Sequence, residues 1–127
     1  MTITQFLAGN RITASVEWAE DNPQMADMPY GSNHWRVTFR MGRKRMTTPF
    51  SQGPAIQKEP TAADVFNCLL SDASYGDQSF DDFCGDMGYD TDSRNAERIH
   101  KNVTRMTRKL RQFLGGAYDA ALACDRE

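Results

Sequence analysis

Apolar residues recur at every second position in runs between residues 12 and 51 and at every third or fourth position beyond residue 60, and no single regular element accommodates both spacings. The chain must therefore fold as strands followed by helices. Ile12, Ala14, Val16 and Trp18 alternate with Arg11, Thr13, Ser15 and Glu17, the two-residue period of a half-buried strand. Trp35, Val37, Phe39 and Met41 alternate in the same way with His34, Arg36, Thr38 and Arg40, and Met46, Thr48 and Phe50 with Arg45, Thr47 and Ser51. Gly42-Arg43 suits a tight turn between the last two runs. Pro49 removes a ladder donor, which predicts an edge strand or an early end for the third run. Residues 21–33, with Asp21-Asn22-Pro23 and Pro29-Tyr30-Gly31-Ser32-Asn33, read as a long connection.

Beyond Pro60 the spacing is helical. Thr61 stands as N-cap ahead of Ala62, Val65, Phe66, Leu69 and Leu70, with Asp64 in the first turn. Ser79 caps a second run, Phe80, Phe83 and Met87, which Gly85 and Gly88 keep short. The strongest pattern predicts a helix over about 92–114, where Ile99, Val103, Met106, Leu110 and Phe113 share a face and Gly115-Gly116 stops it. Tyr118, Ala121 and Leu122 add a further turn or two, and Ile3, Phe6 and Leu7 begin either a short helix or an edge strand. The expected fold is α+β: a small antiparallel sheet of about three strands in the N-terminal half, packed against a C-terminal layer of three to four helices. At 127 residues the chain has the length of one domain, β-rich over about 11–51 and helical over about 61–123. No apolar stretch approaches the ~20 residues of a membrane helix, and residues 1–25 carry no signal-peptide pattern.

The net charge of −2 hides a segregation. No Lys or Arg occurs from Glu59 through Ser93, where Asp72, Asp77, Asp81, Asp82, Asp86, Asp90 and Asp92 crowd together. Arg36, Arg40, Arg43, Lys44 and Arg45 surround the expected hairpin, and Arg94, Arg98, Lys101, Arg105 and Arg108 form a stripe beside the apolar face of the long helix. Like charges at i, i+4 cost ~0.2–0.5 kcal/mol per pair in an isolated helix, so an acceptor is expected. Three stand open: the Asp-rich segment of the same chain, a nucleic acid, or solvent. The aspartates have two readings of their own, as local caps (Asp72, Asp81 and Asp82) or as a negative surface that occupies a basic channel on a partner.

Catalytic signals are absent. Phosphate-binding glycine loops, His-Glu-x-x-His and Gly-x-Ser-x-Gly do not occur, and the spacing of Asp86, Asp90 and Asp92 fails the calcium-loop pattern in every register. Cys68, Cys84 and Cys124 fit no zinc spacing and read as reduced, buried or half-buried thiols. His34 reads as a surface or edge residue and His100 as a half-buried one. The expectation is a non-enzymatic protein without metal or cofactor.

The strings His34-Trp35-Arg36-Val37-Thr38, Pro60-Thr61-Ala62-Ala63-Asp64-Val65 and above all Gly88-Tyr89-Asp90-Thr91-Asp92-Ser93-Arg94 resemble a group of small bacteriophage and prophage proteins, over roughly residues 15–115. That resemblance implies a phage accessory protein acting in the host cytoplasm. Such proteins often occlude host defence complexes, as anti-CRISPR proteins do, which implies an inhibitor that binds CRISPR–Cas effector subunits. Its interface would use the acidic residues 72–92, with Tyr75, Phe80, Phe83 or Tyr89 as aromatic anchors. The alternative is a nucleic-acid-binding or regulatory phage protein that uses the basic hairpin or the basic helix stripe. Oligomeric state stays open.

Overall fold

The computed structural model describes residues 1–18, 33–52 and 58–125. Its elements run α1 (Ile3–Gly9), β1 (Ile12–Trp18), β2 (Asn33–Met41), β3 (Lys44–Gln52), α2 (Ala62–Gly76), α3 (Phe80–Met87), α4 (Arg94–Leu114), a 3₁₀ turn (Gly115–Ala117) and α5 (Tyr118–Leu122). The chain is thus α+β, with a three-stranded antiparallel sheet in the order β1-β2-β3 and four helices after it. Apart from Asn33, which opens β2, the long connection expected over 21–33 lies outside the described residues.

Two compact units are distinguishable: residues 1–66 with 124–127, and residues 67–123. In the first, β1 and β2 pair from Ile12 opposite Met41 to Trp18 opposite Trp35. The β2–β3 hairpin closes at Met41 opposite Lys44, and Gly42, at φ +60°, supplies the left-handed first turn position that a two-residue loop requires. Pro49 stands in β3, an edge of this sheet, where a missing donor is tolerated. One sheet face is apolar, with Ile12, Trp35, Val37, Phe39 and Met46 buried. Phe66, in the second turn of α2, meets Phe39 edge-on at 5.5 Å and stacks on Phe6 of α1 at 5.9 Å. Burial fades along β1, so that Trp18 stays 51% exposed while its ring meets Trp35 at 90°.

The choice left open for Ile3, Phe6 and Leu7 falls to the helix, because Thr2 and Gln5 form a reciprocal capping box. The Thr61 hydroxyl and Asp64 carboxylate do the same for α2. Ser79 caps α3, as expected, and Gly88 at φ +76° ends it; Gly85 lies inside the helix and does not shorten it. Ser93 caps α4, so that helix begins at Arg94, two residues later than the apolar spacing predicts. His34, expected at a surface or an edge, is half-buried in the central strand.

In the second unit α4 buries Ala96, Thr107, Leu110, Phe113 and Leu114 and only half-buries Ile99, Val103 and Met106. Its buried face is therefore rotated from the expected one, toward Thr107. That threonine is tolerated because its hydroxyl donates to the Val103 carbonyl at 2.8 Å. Its side chain lies against Gly76, the last residue of α2, where a Cβ would overlap the Thr107 Oγ1. Overpacking of this kind costs ~1–3 kcal/mol. Gly76→Ala is expected to lower the urea midpoint accordingly, while Gly85→Ala, whose Cβ would meet nothing within 4 Å, leaves it unchanged or raises it.

Candidate functional site

The corner between α2 and α3 positions the acidic segment, and it is tied to α4 at two consecutive residues. Asp77 accepts from the Arg111 guanidinium at 2.6 Å, and Arg111 also lies over the Tyr118 ring, 4.9 Å from its centre. The hydrogen bond to Asp77 raises Arg111 further above its ordinary value. The Gln78 carbonyl lies 2.9 Å from Nε2 of His100; a carbonyl only accepts, so Nε2 carries the proton. The Gln78 amide donates to Asp86 at 2.6 Å, and the Ser79 hydroxyl accepts from the Asp82 amide.

His100, half-buried as expected, sits 5.1 Å from the Phe83 ring and 5.6 Å from Phe80. Phe83 is fully buried, which corrects its reading as an exposed anchor: α3 turns this residue inward with Cys84. Tyr75 and Phe80 are half-buried, Tyr75 by packing edge-on to Phe83 at 6.5 Å. Tyr89 remains 41% exposed and Met87 42% exposed at the C-terminal end of α3.

The carboxylates of this segment are exposed. Asp81 and Asp82 occupy the first turn of α3, where the helix dipole favours them, and Asp90 and Asp92 lie in the loop before α4. The side chains of these four make no hydrogen bond or ion pair among the described residues. Asp72 differs from its reading as a cap: it lies inside α2, and partial desolvation raises its carboxyl above the ordinary value, although the residue as a whole is exposed. Burial raises the Cys84 thiol, with Asp81 and Asp90 adding to the shift. Among the described residues no cluster of three or more His, Cys, Asp or Glu is placed to hold a metal ion.

The basic stripe of α4 finds most of its local acceptors on its own helix. Arg98 donates to Asn95 at 2.6 Å, Arg105 to Asn102 at 3.1 Å, and Lys101 pairs with Glu97 at 3.2 Å, while Arg94 and Arg108 are exposed. The acidic segment takes Arg111, which stands outside that stripe. Sequence reasoning missed both features, although the repeated Asn-x-x-Arg seven residues apart was a readable sign of guanidinium clamps. On the sheet, Arg36 pairs with Glu17 at 3.8 Å and Arg40 donates to Ser15 at 3.2 Å; Arg43, Lys44 and Arg45 are exposed.

Two measurements check this arrangement. Native protein is expected to give one rapidly reacting thiol with dithiobis(nitrobenzoate), from exposed Cys68, and three after denaturation, because Cys84 and Cys124 are buried. A raised folded-state carboxyl stabilises the fold below its unfolded pKa and loses that contribution as pH climbs through the folded value. Asp72→Asn is accordingly expected to raise Tm slightly at pH 7 and to leave it unchanged at pH 3, the difference being small because the residue is exposed.

No family model, curated protein or solved structure matches the chain.

Proposed function

We propose that the chain acts by binding rather than by catalysis, as an inhibitor that places its acidic α3 surface in a basic, nucleic-acid-binding channel of a bacterial defence complex. The observation that carries this reading is the set of exposed carboxylates of Asp81, Asp82, Asp90 and Asp92, unpaired among the described residues, in the same segment as exposed Tyr89 and Met87. Had the fold turned those carboxylates onto the basic helix, no net field would remain for a partner. Left outward, they steer encounter with a cationic groove and suppress neutral or acidic partners. Tyr89 adds an amphipathic anchor of the type that interfaces favour, with its ring held 6.0 Å from Phe83. The choice of target rests on the resemblance to phage and prophage proteins read in the sequence, and a CRISPR–Cas effector holds nucleic acid in a positively charged channel of this kind.

The test is phage plating on a host whose CRISPR–Cas system targets that phage. Expression of the chain is expected to restore plating. The Asp81→Asn/Asp82→Asn/Asp90→Asn/Asp92→Asn variant is expected to weaken binding to the purified effector at least about tenfold, or 1.4 kcal/mol, with Tyr89→Ala causing a comparable loss. Unchanged plating with the unmutated chain overturns the CRISPR assignment, and unchanged binding by the fourfold variant overturns the acidic surface.

A further inference from the structure

The second face of the sheet presents a surface that the one-dimensional pattern does not display. Register places Thr13, Arg40 and Arg45 in one row across the three strands, Ser15, Thr38 and Thr47 in the next, and Glu17, Arg36 and Pro49 in the third. Arg40 and Arg45 are directly opposite one another, an arrangement of like charges that destabilises a strand pair. At the same end of the sheet stand exposed Arg11, immediately before β1, and Arg43 in the hairpin turn. The single carboxylate in the three strands, Glu17, is two rows away and paired with Arg36. The middle row is hydroxylic, with the Thr38 and Thr47 oxygens 3.1 Å apart and Ser15 holding Arg40. Among the described residues the face therefore bears a concentrated positive charge with no carboxylate in its row, behind a row of neutral hydrogen-bonding groups.

We infer that this open sheet face, centred on Arg40 and Arg45 with Thr13, Ser15, Thr38 and Thr47, binds the backbone of duplex DNA. The occupant follows from charge and shape. Arg40 on the central strand and Arg45 on the β3 edge are neighbours about 5 Å apart, with Arg11 and Arg43 at the same end of the sheet, so the cations gather along one phosphate backbone beside the ~12 Å major groove while the hydroxyls extend the contact toward the groove. The strand residues of this face include no Phe, Tyr or Trp, so among the described residues it lacks the stacking platform that single-stranded nucleic acid requires. A-form RNA hides its major groove from an element of this width. Contact through phosphates and small hydroxyls positions the protein with little sequence preference. The inference is independent of the acidic-surface reading.

The experiment is fluorescence anisotropy with a labelled duplex of about 20 bp and the matching single strand, at about 50 and 200 mM salt. The full chain is expected to bind the duplex more tightly than the single strand. Three neutralised phosphates give a logarithmic salt slope of about −2.7, an affinity loss of about 40-fold over that range. Arg40→Gln/Arg45→Gln is expected to reduce the slope by about 1.8, Arg40→Lys/Arg45→Lys to restore most of it, and Arg105→Gln/Arg108→Gln on α4 to leave it unchanged. The fourfold Asp→Asn variant of the acidic surface retains duplex binding. Any of four results overturns the inference: no duplex binding at the lower salt, tighter binding of the single strand, an unmutated salt slope near zero, or an equal loss from the α4 variant. The salt slope and strand preference are read on unmutated protein, so they stand whether or not the arginine variant folds.

Discussion

The last turn of α2 lies against α4 because residue 76 has no side chain: the space a Cβ would need is occupied by Thr107. Much of the second unit follows from that approach. With the helices this close, Asp77 and Gln78, the next two residues, reach Arg111 and His100 on α4. The direction in which the chain leaves this corner sets Ser79 as the cap of α3, and α3 in turn delivers Phe83 and Cys84 inward and its aspartates outward. A larger residue at 76 would push the corner off α4 and loosen the bonds that hold it. The arrangement of the acidic surface is thus set by a steric vacancy about one helical turn away from it in the chain.

Legibility in the sequence tracked the number of repeats. β2 and α4 are long and strongly periodic, and the spacing alone located both, including the alternation that buries Trp35, Val37 and Phe39. Short elements were decided by single hydrogen bonds that periodicity does not carry. Ile3, Phe6 and Leu7 are too few to distinguish helix from strand, whereas Thr2-x-x-Gln5 is a capping signature that does. Ser93 trims α4 in the same way. The burial of α4 escaped for a different reason. A face defined by apolar residues passes over Thr107, and only the facing Gly76 explains why a threonine, its hydroxyl satisfied by the preceding turn, lies at the centre of the contact. Phe83 and Tyr89 are equally aromatic and six residues apart, and which of them faces water is a property of where α3 ends.

The charge pattern was legible as a count and not as a geometry. The basic stripe left its acceptor open between the acidic segment, a nucleic acid and solvent, and in the fold Arg98 and Arg105 donate to asparagines one helical turn away and Lys101 pairs with Glu97. A neutral amide acceptor such as Asn102 orients the Arg105 guanidinium without cancelling its charge. The pairing that joins the acidic corner to α4 uses Arg111, and its role is positional, with the adjacent Tyr118 ring completing the cradle of that side chain. Exposed acidic residues on α3 and the loop after it, and exposed basic residues on the sheet and on α4, therefore both persist in the folded protein.

Those surfaces differ in what removal of water does to them. On the acidic side the same segment also exposes Tyr89 and Met87, apolar area whose burial is favourable at ~25 cal/mol per Å² and offsets part of the cost of desolvating charge. Binding there rewards a partner that closes over the aromatic ring and supplies cations to the carboxylates, the behaviour of a protein interface with a dry centre and a charged rim. On the sheet the arginines adjoin hydroxyls, which offer hydrogen bonds and almost no apolar area. A partner gains there mainly by releasing its own counterions, which is what a phosphate backbone does. Added salt consequently separates the two surfaces: it erodes an interaction built on counterion release steeply, and one anchored by buried apolar area much less.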